Sequence, residues 1–269
     1  MKKFLNLLSD KLHRSRGFYF ILLAGVVISQ LLNALFLIFR TLQAEDSEAG
    51  YRGKLYVTSF FDDSSLYGLI IGGAIMALLL YSVLTWMREW YFQGKFIYRL
   101  LTLPGSRIWI PIAKLASIIL MIGGLLFAQL ILIWLIDALA GYFLPLTIYV
   151  DRPWFYQFAQ SMSIIYLLMP MTVSTTFLLY GTGIGLLLII FNAQIYFYSQ
   201  QSSGSVKALL KISLYLILCF LYLFSLIWLT FFMNFLPQEI FWLLIVGVGV
   251  FIAFNSYILS YLMSNKISV

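Results

Sequence analysis

Six long apolar runs dominate this chain and leave it few ways to fold. They cover approximately Gly17–Phe39, Leu66–Met87, Ile108–Leu135, Ile164–Phe191, Ile212–Phe235 and Ile240–Met263. A helix rising about 1.5 Å per residue needs about 20 apolar residues to cross roughly 30 Å of hydrocarbon. Every run meets that length. A membrane β-strand would alternate apolar and polar residues over about ten positions, whereas these runs are apolar on every side. The predicted fold is therefore an all-α membrane protein, a single transmembrane domain over residues 1–269 with six transmembrane helices. Composition agrees. Of the 269 residues 62% are hydrophobic and 10% charged, against about 25% charged in a soluble domain. So little polar surface cannot cover a water-soluble globule, and disorder would require low hydrophobicity.

Short loops on the cytoplasmic side of a membrane protein collect lysine and arginine. With the N-terminus inside, that side receives Lys2, Lys3, Lys11, Arg14, Arg16, Arg88, Lys95, Arg99, Arg107, Lys114, Lys207, Lys211 and Lys266. The other side receives only Arg40, Arg52, Lys54 and Arg152, while Asp10 and Glu89 are the only acids on the basic side. The predicted topology is a multi-pass protein of the cell membrane with both termini cytoplasmic. This bias accounts for the net charge of +7, so nucleic acid is not an expected partner; the lipid bilayer is. The first run is too long for the apolar core of a signal peptide, about 7–15 residues, and reads as a span. A single cysteine, Cys219, and a single histidine, His13, exclude a disulfide framework and any two-histidine metal site. His13 is expected at the surface.

Two segments beside the spans carry patterns of their own. Residues 2–16 place Phe4, Leu5, Leu8 and Leu12 on one helical stripe, with Lys11 at its edge. This predicts an N-terminal interfacial amphipathic helix, serving either as an anchor or as an elbow into the first span. After the second span, Phe92, Phe96, Leu100 and Leu103 recur at helical spacing in an otherwise basic loop that ends at Pro104-Gly105. A short helix with one apolar face needs a surface to bury it. The external loop Thr41–Ser65, with Glu45, Asp46, Glu48, Asp62 and Asp63, reads either as a solvated connection or as an acidic vestibule.

The basic loop also carries a resemblance. Glu89, then Gly94, then Leu100-Leu101-x-Leu103-Pro104-x-Ser106-Arg107, with Lys114 just inside the next span, resembles the permeases of ABC-2-type ABC transporters. The plan of an interfacial helix, six spans and a basic loop between the second and third is similar too. Lys95-Phe96-Ile97 after Gly94 departs from the Gly-Thr-acid pattern common in that family. The resemblance implies a coupling helix between spans 2 and 3 that docks on a separate ATP-binding cassette subunit. The residues it carries over for coupling are Glu89, Tyr91, Phe92, Gly94, Phe96, Arg99, Leu100, Leu103 and Pro104. It further implies a second permease subunit, alike or different, and export of a peptide, antibiotic, lipid or other amphipathic substrate. ATP and magnesium would sit on the partner, with no cofactor on this chain. The sequence contains no G-x-x-x-x-G-K-[ST] phosphate loop. The alternative is a non-transporting membrane protein, an assembly factor or the sensor subunit of a signalling complex. A membrane-embedded enzyme fits poorly, since the sequence suggests no nucleophile–base pair.

Polar side chains inside spans are functional candidates. Gln30, Asn33 and Arg40 fall near one face of the first run, where they either line a pathway or hydrogen-bond to neighbouring helices. Thr172 and Thr175 follow Pro170 in the fourth run, where a proline kink is expected. Asp137 is expected as an interfacial carboxylate, and Gly72-Gly73 and Gly123-Gly124 as packing points. No line of charges runs through the spans, which argues against a secondary transporter.

Overall fold

In the computed structural model, residues 2–45, 55–62, 65–92, 106–145, 148–150, 168, 170, 172–199, 205–232 and 236–265 are described. The long helices are α1 (Lys2–Glu45), α3 (Ser65–Met87), α4 (Trp109–Phe143), α5 (Val173–Ser199), α6 (Ser205–Phe232) and α7 (Pro237–Asn265). A single turn, α2 (Ser59–Asp62), precedes α3, and a π-helical turn (Arg88–Phe92) extends it. All six long helices are long and apolar enough to cross a membrane. Their exteriors carry large apolar side chains such as Phe36, Leu69, Phe127, Phe177, Phe220 and Trp242. So much exposed hydrocarbon suits lipid, not water.

Helix ends follow local chemistry. Thr172 caps α5: its Oγ1 accepts from the Thr175 amide at 3.3 Å, and its carbonyl accepts from the Thr176 amide at 3.0 Å. Pro170 lies outside helix, just ahead of this cap. Leu168 is helical, Pro170 is not, and α5 runs from Val173 to Ser199, while 164–167, 169 and 171 of the fourth run, where the kink is expected, lie outside the described residues. Pro237 occupies the first position of α7, where the missing donor costs nothing. Glu239 Oε2 there accepts from the Leu236 amide at 2.9 Å.

The N-terminal segment also departs from expectation. It is helical, but as the first part of one 44-residue helix with no break at Gly17. No proline interrupts Lys2–Glu45, so nothing in the sequence separates an interfacial helix from the first span. The buried positions there are Leu7, Lys11 and Ser15, one turn apart, while Leu5 is exposed. Lys11 therefore lies in the middle of the buried face, not at its edge. His13 is exposed, as expected.

The chain divides into two compact units, and α1, α3 and α4 contribute residues to both. One comprises Met1–Leu12, Leu79–Ile118 and Thr172–Val269. In it α5 and α7 pack closely because Gly181 and Gly185, one turn apart, lie against Val248 and Phe251; small residues at this spacing let helix backbones approach. Gly247 accommodates Leu226 of α6 in the same way. Tyr222 stacks on Phe251 with ring centroids 5.4 Å apart and donates to the Gly247 carbonyl at 2.8 Å.

The other unit comprises His13–Leu78 and Ile119–Met171. Its core gathers Ala34, Ile38, Tyr67, Ile133, Ile136 and Tyr149 with Val57, Phe60 and Phe61 from the connection between α1 and α3. That connection is tied down by an isolated bridge, in which the Leu55 amide donates to the Ile148 carbonyl at 2.8 Å and the Val150 amide to the Leu55 carbonyl at 3.0 Å. Leu55, Val57, Phe60 and Phe61 of this connection are therefore core, while residues 46–54, 63 and 64 lie outside the described residues. The acidic side chains proposed as a vestibule, Glu45, Asp46, Glu48, Asp62 and Asp63, lie outside the described side chains. Asp137 accepts from the Tyr149 hydroxyl. Gly124 receives Tyr19, whereas Gly72, Gly73 and Gly123 face open space, so one of the four expected packing glycines meets a neighbour.

Candidate functional site

The first unit buries three charged side chains together. Glu89, on the π-helical turn after α3, is 3% exposed, Lys11 of α1 is 4% exposed and Lys114 of α4 is fully buried. Lys11 Nζ donates to Glu89 Oε1, and Lys114 Nζ lies 2.8 Å from Glu89 Oε2. The second contact is an ion pair whose angles fall outside hydrogen-bond geometry. Lys114 Nζ also sits 3.3 Å above the centroid of the Trp86 ring. The cluster sets two basic side chains against one acid, and the electron-rich face of the indole lies against the second of them.

Aromatic pairs join helices of the same unit, Trp86 among them. Trp86 meets Phe191 of α5 edge-on at 5.6 Å, and Trp90 stacks on Tyr198 at 4.8 Å. Phe4 at the start of α1 contacts Trp109 at the start of α4, 5.7 Å between centroids. Burying an ion costs several kcal/mol, about what a close counter-ion in a dry setting returns. The cluster therefore gains little net stability from its charges. The shared acid is the member the set cannot lose, because both lysines pair with Glu89. Glu89 and Lys114, which flank the predicted coupling segment in the sequence, are ion-paired to each other.

Of the residues carried over for coupling, Glu89 is buried, not presented on a surface. Tyr91 and Phe92 continue the π-helical turn, with side chains outside the described set. Gly94, Phe96, Arg99, Leu100, Leu103 and Pro104 lie outside the described residues, as does the helix expected there. Gln30 and Asn33 are buried in the second unit, whereas Arg40 is exposed, so the three do not share one environment. Neither amide atom of Gln30 has a hydrogen-bond partner among the described residues. Thr172 and Thr175 belong to the first unit, where their hydroxyls lie 2.6 Å apart in the α5 cap.

Sequence reasoning missed a second polar cluster. Asn192 of α5 donates from Nδ2 to the Tyr215 hydroxyl of α6 at 3.1 Å and to the Asn255 carbonyl of α7 at 3.0 Å. Tyr215 in turn donates to Asn255 Oδ1. Two lone asparagines, Asn192 just past the fourth apolar run and Asn255 inside the sixth, were the available signal. Among the described residues no three His, Cys, Asp or Glu side chains are grouped to hold a metal ion. Comparison with protein-family models, curated proteins and solved structures finds no match for this chain.

Proposed function

We propose that this chain is the membrane-spanning permease subunit of an ATP-driven transporter, working with a second permease subunit and a separate ATP-binding cassette subunit. The observation that carries the reading is the contact between Glu89 and Lys114. These are the first and last residues of the motif that resembles ABC-2-type permeases, and their pairing gives the intervening loop a fixed base. Lys11 extends that base to the N-terminal helix. A push on residues 91–103 by a partner that closes on ATP would then reach α1, α3 and α4 through one charged node. The chain's part is to receive that movement and reorient its helices around an amphipathic substrate. Hydrolysis belongs to the partner, which would carry the nucleotide and its magnesium.

The test is affinity purification of the full chain from its native membranes, with mass spectrometry of co-purifying proteins and an ATPase assay. The expected result is a chain bearing a phosphate-binding loop, with hydrolysis that follows it through purification. Charge reversal at Arg99 should reduce the recovered ATPase several-fold. Recovery of the chain with no ATP-binding protein would favour the non-transporting alternative. Unchanged assembly and hydrolysis after residues 91–103 are scrambled would defeat the coupling assignment.

A further inference from the structure

Where α5 ends, α6 begins and α7 ends, the first unit contains a cavity of about 320 Å³. Its wall includes Ala193, Ile212, Ile258 and Leu262 together with Tyr196 and Tyr261, and apolar atoms make up almost all of it. The polar groups nearby are spent on one another. Asn192 Nδ2 donates to Tyr215 and to Asn255, and the Tyr215 hydroxyl donates to Asn255. A buried water needs about two to four polar partners, and a cavity that lacks them stays dry. Such a space takes hydrocarbon or nothing. It runs from the surface inward, since Lys211 and Tyr261 of its lining are exposed while Leu262 is 4% exposed.

Depth and surroundings narrow the occupant. Ala193 lies six residues before the end of α5, Ile212 seven after the start of α6, and Ile258 seven before the end of α7. At about 1.5 Å per residue these positions are roughly 9–11 Å in from the helix ends. The 27 residues of α5 span roughly 40 Å, close to the about 40–45 Å of a bilayer with its headgroups around a hydrocarbon core of roughly 30 Å. The wall therefore stands where acyl chains begin, below the headgroups. Beside it α6 exposes Leu210 and Leu214, and α7 exposes Tyr257, so what lies outside is the hydrocarbon that covers the spans. Among the six long helices α6 is the least buried. We infer that the cavity holds one acyl chain of a membrane lipid, wedged between the start of α6 and the α5–α7 pair. No hydrophobic force draws helices together in lipid, so dispersion contact with the inserted chain is what joins α6 to its neighbours at this end. The headgroup lies outside the site and sets no selectivity. The inference does not depend on an ATPase partner.

The test is native mass spectrometry of the full-length protein, delipidated and then offered phosphatidylcholine, phosphatidylglycerol, single-tailed lysophosphatidylcholine or tail-free glycerophosphocholine. A single molecule of each tailed lipid should be retained to a similar degree, and glycerophosphocholine not at all. A phosphatidylcholine carrying a photoreactive diazirine in its tail should crosslink to Ala193, Ile212 or Ile258 after washing. Ala193→Phe should cut retention about tenfold by filling the cavity, with helical content checked by circular dichroism. Leu214→Phe, on the exposed surface of α6, should leave retention unchanged. The crosslinking arm uses the unaltered protein and decides even if Ala193→Phe misfolds. Failure to retain a tailed lipid, retention that follows the headgroup, or full retention in a folded Ala193→Phe would overturn the assignment. So would crosslinks confined to exposed residues such as Phe220 and Trp242.

Discussion

Replacing Glu89 with glutamine leaves Lys11 and Lys114 buried near each other with no counter-ion. Loss of one partner from a buried ion pair costs about 3–5 kcal/mol, and Glu89→Gln should lower stability by that order. Lys114→Met keeps the volume and leaves Lys11 paired with Glu89, so its cost should be within about 1 kcal/mol. Unfolding of both variants in detergent checks the asymmetry, and equal losses would contradict the charge arrangement described. The same residues show what the sequence concealed. Apolar periodicity put Lys11 at the edge of a stripe, because a pattern of hydrophobicity counts a lysine as surface. It is buried because an acid 78 positions away meets it, a fact no local window contains. Glu89 was legible as unusual, being one of two acids on the basic side, but its burial was not.

At the scale of the helix, the pairing of α5 with α7 depends on two glycines and is indifferent to a third. A side chain at Gly185 would enter the space of the Phe251 ring, whereas Gly183 faces nothing within 4 Å. Gly185→Leu should therefore cost about 1–3 kcal/mol through overpacking, and Gly183→Ala should be neutral or gain up to about 1 kcal/mol of helix propensity. Thermal denaturation of the two variants decides this. All six apolar helices were readable from hydropathy, and α3 and α4 each begin within one residue of expectation. The ends of the others were less readable, because apolarity marks what enters lipid while capping and proline mark where a helix stops. Hence the fourth helix begins at Val173, after Thr172 and Pro170, and ends at Ser199 among residues too polar for the apolar run. The assembly of Asn192, Tyr215 and Asn255 into one cluster was not legible for a related reason. Its members come from three helices, and only their packing brings two lone amides, one just past the fourth apolar run and one inside the sixth, to the same hydroxyl.

For the molecule as a whole, an even number of crossings returns both ends to one side. In a Cys219→Ser background, cysteines introduced at Ser9 and Ser264 should react with an impermeant maleimide only in inverted vesicles, and one at Thr58 only in intact cells. Labelling of Ser9→Cys and Ser264→Cys from opposite sides would mean an odd number of crossings. The placement of the charged node then bears on how the protein is made. Lys11 lies near the start of α1, Glu89 just past α3, and Lys114 six residues into α4. A charge near a helix end avoids most of the cost of about 2.5–3.5 kcal/mol that it would carry at the membrane centre, so each helix can insert before its charges are paired. Lys11 emerges from the ribosome first and has no counter-ion until Glu89 follows, and the set closes only when Lys114 arrives. A chain stalled before Glu89 is made presents Lys11 without its counter-ion, which distinguishes an unfinished protein from a finished one.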